Sequence, residues 1–176
     1  QGLEAYSRTE DGALYAIKGC PMQEEPLHLI PPHLRPAIEK EFGVYVEGDV
    51  CPRCRYVLRR EYEGRISEIP VRRIAISERE SIGIGAFVAS DLGAESVGLL
   101  VGSIDTDHLG GDRLEVAGRA YRMDGELNVA NRGLMEFAEI FKSEPGLLVV
   151  LLGLAQEQVI KMGRFGSVYA DETVIA

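Results

Sequence analysis

The chain has 176 residues, 45% hydrophobic and 27% charged, with a formal net charge of −9. That length suits one domain or most of one, and the balance excludes a disordered chain. The acidity argues against binding nucleic acid, whose phosphates it would repel, and no apolar run approaches the ~18 residues that a membrane-spanning helix needs.

Residues 1–6 read as the last turns of a helix, and Glu10-Asp11-Gly12 as a turn. Residues 13–18 alternate and are rich in strand formers, which predicts a strand stopped by Gly19-Cys-Pro-Met22. Prolines at 26, 31, 32 and 36 impose a fixed, irregular loop. Residues 35–42 predict a short helix closed by Gly43. In the stretch 51–62, Val57, Leu58 and Tyr62 share one helical face. Residues 70–77 predict a strand, and Ser81-Ile-Gly-Ile-Gly-Ala-Phe87 a glycine-marked loop or hairpin. Residues 89–111, rich in Gly, Asp and Ser around a short apolar run at 97–101, are expected to form a surface insertion. Residues 126–131 predict a short helix, and residues 133–141 a strand running into a turn. Pro145 suits the first turn of a buried helix that runs to Glu157. Residues 158–161 and 166–169 pair as a hairpin across Gly163, and residues 171–176 form a last strand. Strands alternating with helices predict an α/β fold. Both ends fall in mid-pattern, so the chain is expected to be an internal piece of a longer protein.

The most informative stretch is Asp124-Gly-Glu-Leu-Asn-Val-Ala-Asn-Arg-Gly-Leu-Met-Glu-Phe-Ala-Glu139. A short helix of the form G-x-L-x-x-A-x-x-G, followed at once by an apolar strand ending in Asp-Glu, is the pattern around the Walker B element of many AAA+ ATPases. There the Asp holds the water shell of Mg²⁺ and the Glu orients the attacking water. Gly125, Leu127, Ala130 and Gly133 fit the helix and its stop, Ala138 falls where the Asp belongs, and Glu139 falls on the Glu. Glu136 lies earlier, on the opposite strand face by period-two alternation. The competing reading makes Glu136 and Glu139 solvated carboxylates at a strand edge.

Lys18-Gly-Cys-Pro-Met-Gln-Glu-Glu-Pro-Leu-His-Leu-Ile-Pro31, the 81–87 and 124–133 stretches and Ala170-Asp-Glu-Thr-Val-Ile-Ala176 resemble the PrkA-type serine protein kinases over nearly the whole chain. The resemblance implies a partial P-loop NTPase core of the AAA+ class, a three-layer α/β sandwich with inserted loops at residues 19–64 and 89–119. It implies ATP and Mg²⁺, a cytoplasmic bacterial protein, a protein substrate phosphorylated on serine or threonine, a homo-oligomer, and a link to starvation, stress or sporulation. Glu139 and Glu136 would be catalytic, Asp171 and Glu172 would help hold Mg²⁺, and Arg132 would face a neighbouring subunit. Gln23 stands where the family usually has His. The loop G-x-x-x-x-G-K-S/T occurs nowhere in the chain, and in the family it lies one helix before Gln1; this chain alone is therefore expected to bind ATP weakly. The alternative is a non-catalytic ATPase-like scaffold, which Ala138 favours. Protein-kinase H-R-D and D-F-G signatures are absent.

Cys51-Pro-Arg-Cys54 has the spacing with which two thiolates grip Zn²⁺, and Cys20 and His28 could complete a Cys₃His site that staples the proline-rich loop. A redox pair and unligated structural thiols are the other readings, and a zinc-stabilised interaction module is the function the metal would imply. Three cysteines make an incomplete disulfide framework and fit a reducing compartment. The arginines at 53, 55, 59, 60, 72 and 73 read as a solvated face or a subunit contact rather than a nucleic-acid surface.

Overall fold

The computed structural model describes residues 1–88, 95–143, 145–161 and 166–175. The first half is a small lobe around an antiparallel pair. Helix α1 (Gly2–Ser7) ends in a buried serine whose hydroxyl accepts the N–H of Ile76 at 2.9 Å. Strand β1 (Leu14–Ile17) leads into a proline-bound excursion, with one 3₁₀ turn at Pro26–Leu29 and then α2 (Arg35–Phe42) and α3 (Pro52–Arg60). Gly43 closes α2 in the left-handed conformation, φ 66°, as its position predicts. Cys51 caps α3, and Leu58 and Tyr62 pack it onto the core. The chain returns in β2 (Val71–Ile74), antiparallel to β1 with Leu14 opposite Ile74.

The second half carries the main sheet. Strand β3 (Ile84–Val88) occupies the stretch expected to be a loop or hairpin. Of its two glycines only Gly83, at φ 68°, makes a turn. Gly85 lies within the strand, where a Cβ would meet the carbonyl oxygen of Glu126 at 2.4 Å. Its glycine marks the close approach of a helix, not a reversal of the chain.

Within residues 89–111, expected as a surface insertion, part of the chain reaches the core. Helix α4 (Glu95–Val101) buries Leu100 completely. Strand β4 (Ser103–Ile104), the single turn α5 (Arg113–Glu115) and a π turn at Val116–Ala120 follow, and β5 (Tyr121–Arg122) pairs back with β4. Ala120 is fully buried.

Helix α6 (Glu126–Ala130) then enters β6 (Gly133–Ala138), and α7 (Pro145–Glu157) leads to the hairpin of β7 (Val159–Lys161) and β8 (Ser167–Tyr169) and to β9 (Glu172–Ile175). The hairpin matches its expectation, with Gly163 outside the described residues. The main sheet has the order β3-β6-β9, all parallel. Gly85, Phe87, Met135, Phe137 and Val174 share the covered face, where the Phe87 and Phe137 rings stack at 5.1 Å and α6 packs. Ala86, Val88, Glu136 and Ile175 stand exposed on the other face. Among the described residues the sheet therefore has two layers rather than the expected three. Helix α7 is only half buried: Leu147, Leu151 and Leu154 face inward, while Leu148, Val149 and Leu152 are exposed. It is apolar all round, so periodicity could not say which side packs. Among the described residues no helix is long and apolar enough to cross a membrane.

Replacing Gly85 with alanine forces the Glu126 carbonyl away and should cost about 1–3 kcal/mol in urea unfolding. Gly146→Ala, at a helical site with nothing within 4 Å, should be neutral or slightly stabilising.

Candidate functional site

Parallel strands put their C-terminal ends at one edge, where ligands of open α/β sheets bind. Glu139 stands at that edge, directly after the central strand β6. Its backbone is left-handed, φ 59° and ψ 37°, and it opens a 3₁₀ turn at Ile140–Lys142. A side-chain-bearing residue in that region costs on the order of 1 kcal/mol, and such strain gathers at functional sites. The carboxylate is half exposed and meets the Lys142 ammonium at 2.9 Å. Glu136 projects from the open face of the sheet, beside Ala86 and Ile175. Alternation places the two carboxylates on opposite faces only if the strand continues; it stops at Ala138, because Glu139 turns out of it.

The structure separates the other expected site residues from this edge. Glu172 is opposite Gly133, at the start of β6, so the length of a six-residue strand lies between it and Glu139. At about 3.3 Å per residue that is roughly 20 Å, too far for Asp171 or Glu172 to share an ion with Glu139. Glu172 is buried, and neither carboxyl oxygen has a hydrogen-bond partner among the described residues. Burial first, and then the charge of Asp171, push its carboxyl up from 4.5 to about 9.

Arg132 also lies at the start of β6, and it faces inward. Its guanidinium donates to the carbonyls of Tyr15 and Gln23, its backbone N–H donates to Asp171 at 2.7 Å, and its side chain is only 13% exposed. It holds its own chain together, which leaves it unsuited to reach a neighbouring subunit. Several arginines of the basic cluster are engaged within the chain as well: Arg55 with Asp49, Arg60 with Asp112, Arg72 with Gln23, and Arg73 with the carbonyls of Arg8 and Thr9.

A second constellation gathers the cysteines. Cys20 follows β1, and Cys51 and Cys54 open α3; all three are free and buried. Their sulfurs and a carboxylate oxygen of Glu24 lie within 4.8 Å of one another. His28, expected as the fourth ligand, instead turns its Nδ1 onto Glu24 Oε1 and stands behind it. Glu24 was missed in the sequence because a glutamate in a Glu-Glu-Pro loop reads as solvated; its place four residues from both Cys20 and His28 was the available signal. Glu24 Oε2 accepts the N–H of Cys51 at 2.9 Å. Hydrogen bonds with Cys51, then Cys54, bring the Cys20 thiol down to about 4 against the effect of burial. Burial raises Cys51, and the bond to Cys20 raises Cys54.

The family model described as the PrkA AAA domain matches residues 3–176. The chain is also 49% identical over all 176 residues to a protein of Bacillus subtilis (strain 168) named "ATP-dependent protease PrkA", and it spans 28% of that protein's length.

The buried carboxyl of Glu172 makes stability depend on pH. Below about pH 4.5 it is protonated in both folded and unfolded chains; between 4.5 and 9 only the unfolded chain ionises, so the folded state loses stability as pH rises. Glu172→Gln should remove this slope and be more stable at pH 8 by a few kcal/mol, on the order expected from such a shift, with the difference shrinking toward pH 5 in urea titrations. Arg132→Ala should cost about 2–3 kcal/mol while leaving the oligomeric state, read by light scattering, unchanged.

Proposed function

Because the chain belongs to the PrkA AAA domain family, we propose that it supplies the water-activating side of an ATP site whose phosphate-binding loop comes from outside these 176 residues. One observation carries the reading: Glu139 stands strained and accessible at the C-terminal end of the middle strand of a parallel sheet. A carboxylate there is placed to orient a water, or a substrate hydroxyl, for attack on the terminal phosphate. Its contact with Lys142 fixes its direction. Glu136, on the same half of β6, is the second carboxylate on offer where Ala138 replaces the usual Asp. Mg²⁺ carried by the nucleotide would neutralise charge on the phosphates. Asp171, Glu172 and Arg132 have structural roles in this reading.

Two outputs of such an ATPase are compatible with the site. Phosphorylation of serine or threonine on a protein would use Glu139 as the base that takes the hydroxyl proton. ATP-driven proteolysis is favoured by the name of the Bacillus relative, and its peptidase residues would lie outside this chain. A non-catalytic scaffold is the reading that loses if nucleotide is turned over. A reducing compartment such as the cytoplasm suits the three free thiols.

In the full-length protein, Glu139→Gln should lower ATP hydrolysis by on the order of 10²-fold or more, with nucleotide binding retained. Unchanged turnover would remove Glu139 from the chemistry. Radiolabelled ATP with a protein substrate separates the outputs: label on serine or threonine identifies a kinase, and shortened substrate identifies a protease.

A further inference from the structure

We propose that Cys20, Glu24, Cys51 and Cys54 form a structural zinc site, with Glu24 as the fourth ligand and His28 fixing Glu24 from behind. Each residue offers one donor atom, all four residues are buried, and the four atoms lie within 4.8 Å of one another. A tetrahedral zinc with bonds to sulfur of about 2.3 Å has edges of about 3.8 Å. The Cys20 and Cys51 sulfurs stand 3.8 Å apart.

The surroundings fit the same chemistry. The Cys51 sulfur accepts the N–H of Cys54 at 3.4 Å, and Pro52 fixes the backbone between the two cysteines. Both oxygens of Glu24 are already held, one by His28 and one by the N–H of Cys51. Each retains a lone pair for a cation, so the carboxylate is oriented as metal ligands are by their outer partners. The carboxylate turned among the three sulfurs adds a fourth donor that packing of thiols alone does not require. Three thiolates and a carboxylate suit zinc better than copper(I), which prefers sulfur alone. An iron–sulfur cluster would place its sulfurs on different metals and further apart. Four protein ligands fill the tetrahedron, so the site is closed and structural rather than catalytic.

The metal would have mechanical work to do. The ligands come from two segments separated by the proline-rich loop and α2, a helix with no buried residue. A cleft of about 160 Å³ reaches Cys20 and Cys54 between Lys18 and Arg53. It offers an entry path. Binding would release thiol protons to solvent.

The test starts from the full-length protein purified under reducing conditions without chelator. Elemental analysis should find close to one zinc per chain, released by a mercurial as three thiols react. Cobalt added to stripped protein should give the visible bands of a tetrahedral thiolate site. Glu24→Ala should weaken cobalt binding more than His28→Ala, which should lose about 10–100-fold as an outer partner does. Zinc far below one per chain, together with failure of the stripped protein to bind cobalt tetrahedrally, overturns the site. So does a Cys20–Cys51 disulfide in the native protein, which would mark a redox pair. A greater loss for His28→Ala than for Glu24→Ala overturns the assigned ligand set. Because these readouts use wild type first, misfolding of the Glu24→Ala variant leaves the proposal falsifiable.

Discussion

Two consecutive residues, Asn131 and Arg132, tie the parts of this chain together. The Asn131 amide donates to the Met22 carbonyl at 2.7 Å and its oxygen accepts the N–H of Asp171 at 3.0 Å. Arg132 adds its backbone bond to Asp171 and its guanidinium bonds to Tyr15 and Gln23. Three segments distant in sequence meet there: the cysteine-bearing lobe, the start of β6 and the start of β9. Arg132 is left-handed, φ 67°, and the bonds made from it offset a backbone cost of about 1 kcal/mol. The parallel register begins one residue later, with Gly133 opposite Glu172.

The two ends of β6 therefore serve different ends. At its start, backbones approach so closely that a Cβ on Gly133 would meet the Gly83 carbonyl at 2.0 Å, and the buried Glu172, its carboxyl pushed up by burial, lies alongside. At its finish the strand is released into a strained, accessible glutamate. Packing fixes one end so that the carboxylate at the other is held in place without being buried.

The cysteine lobe is coupled to the same anchor. Met22 and Gln23, whose carbonyls receive Asn131 and Arg132, lie between Cys20 and Glu24. Whatever orders the sulfur cluster thus also orders the support of the strand that presents Glu139. With so many prolines and so few apolar anchors in residues 21–49, that order has to come from a few buried contacts: Met22, Leu29, the thiols and the Glu24–His28 pair.

Local pattern and stop signals were enough to place α2 with its Gly43, the β1 and β2 strands, the β7–β8 hairpin and the passage from α6 into β6, and the quoted motifs carried the family. These features depend on neighbours a few residues away, and their periods and punctuation are written in the chain. Tertiary structure alone decided the rest. It made Gly85 a contact rather than a turn, buried Leu100 from a stretch that reads as a surface insertion, turned Arg132 inward, sent Asp171 and Glu172 to the far end of the sheet, and put Glu24 rather than His28 among the sulfurs. Each of those outcomes rests on which distant segment packs alongside. A charged or glycine residue has the same local signature whether it meets solvent, backbone or a thiol, so only the packed chain distinguishes them.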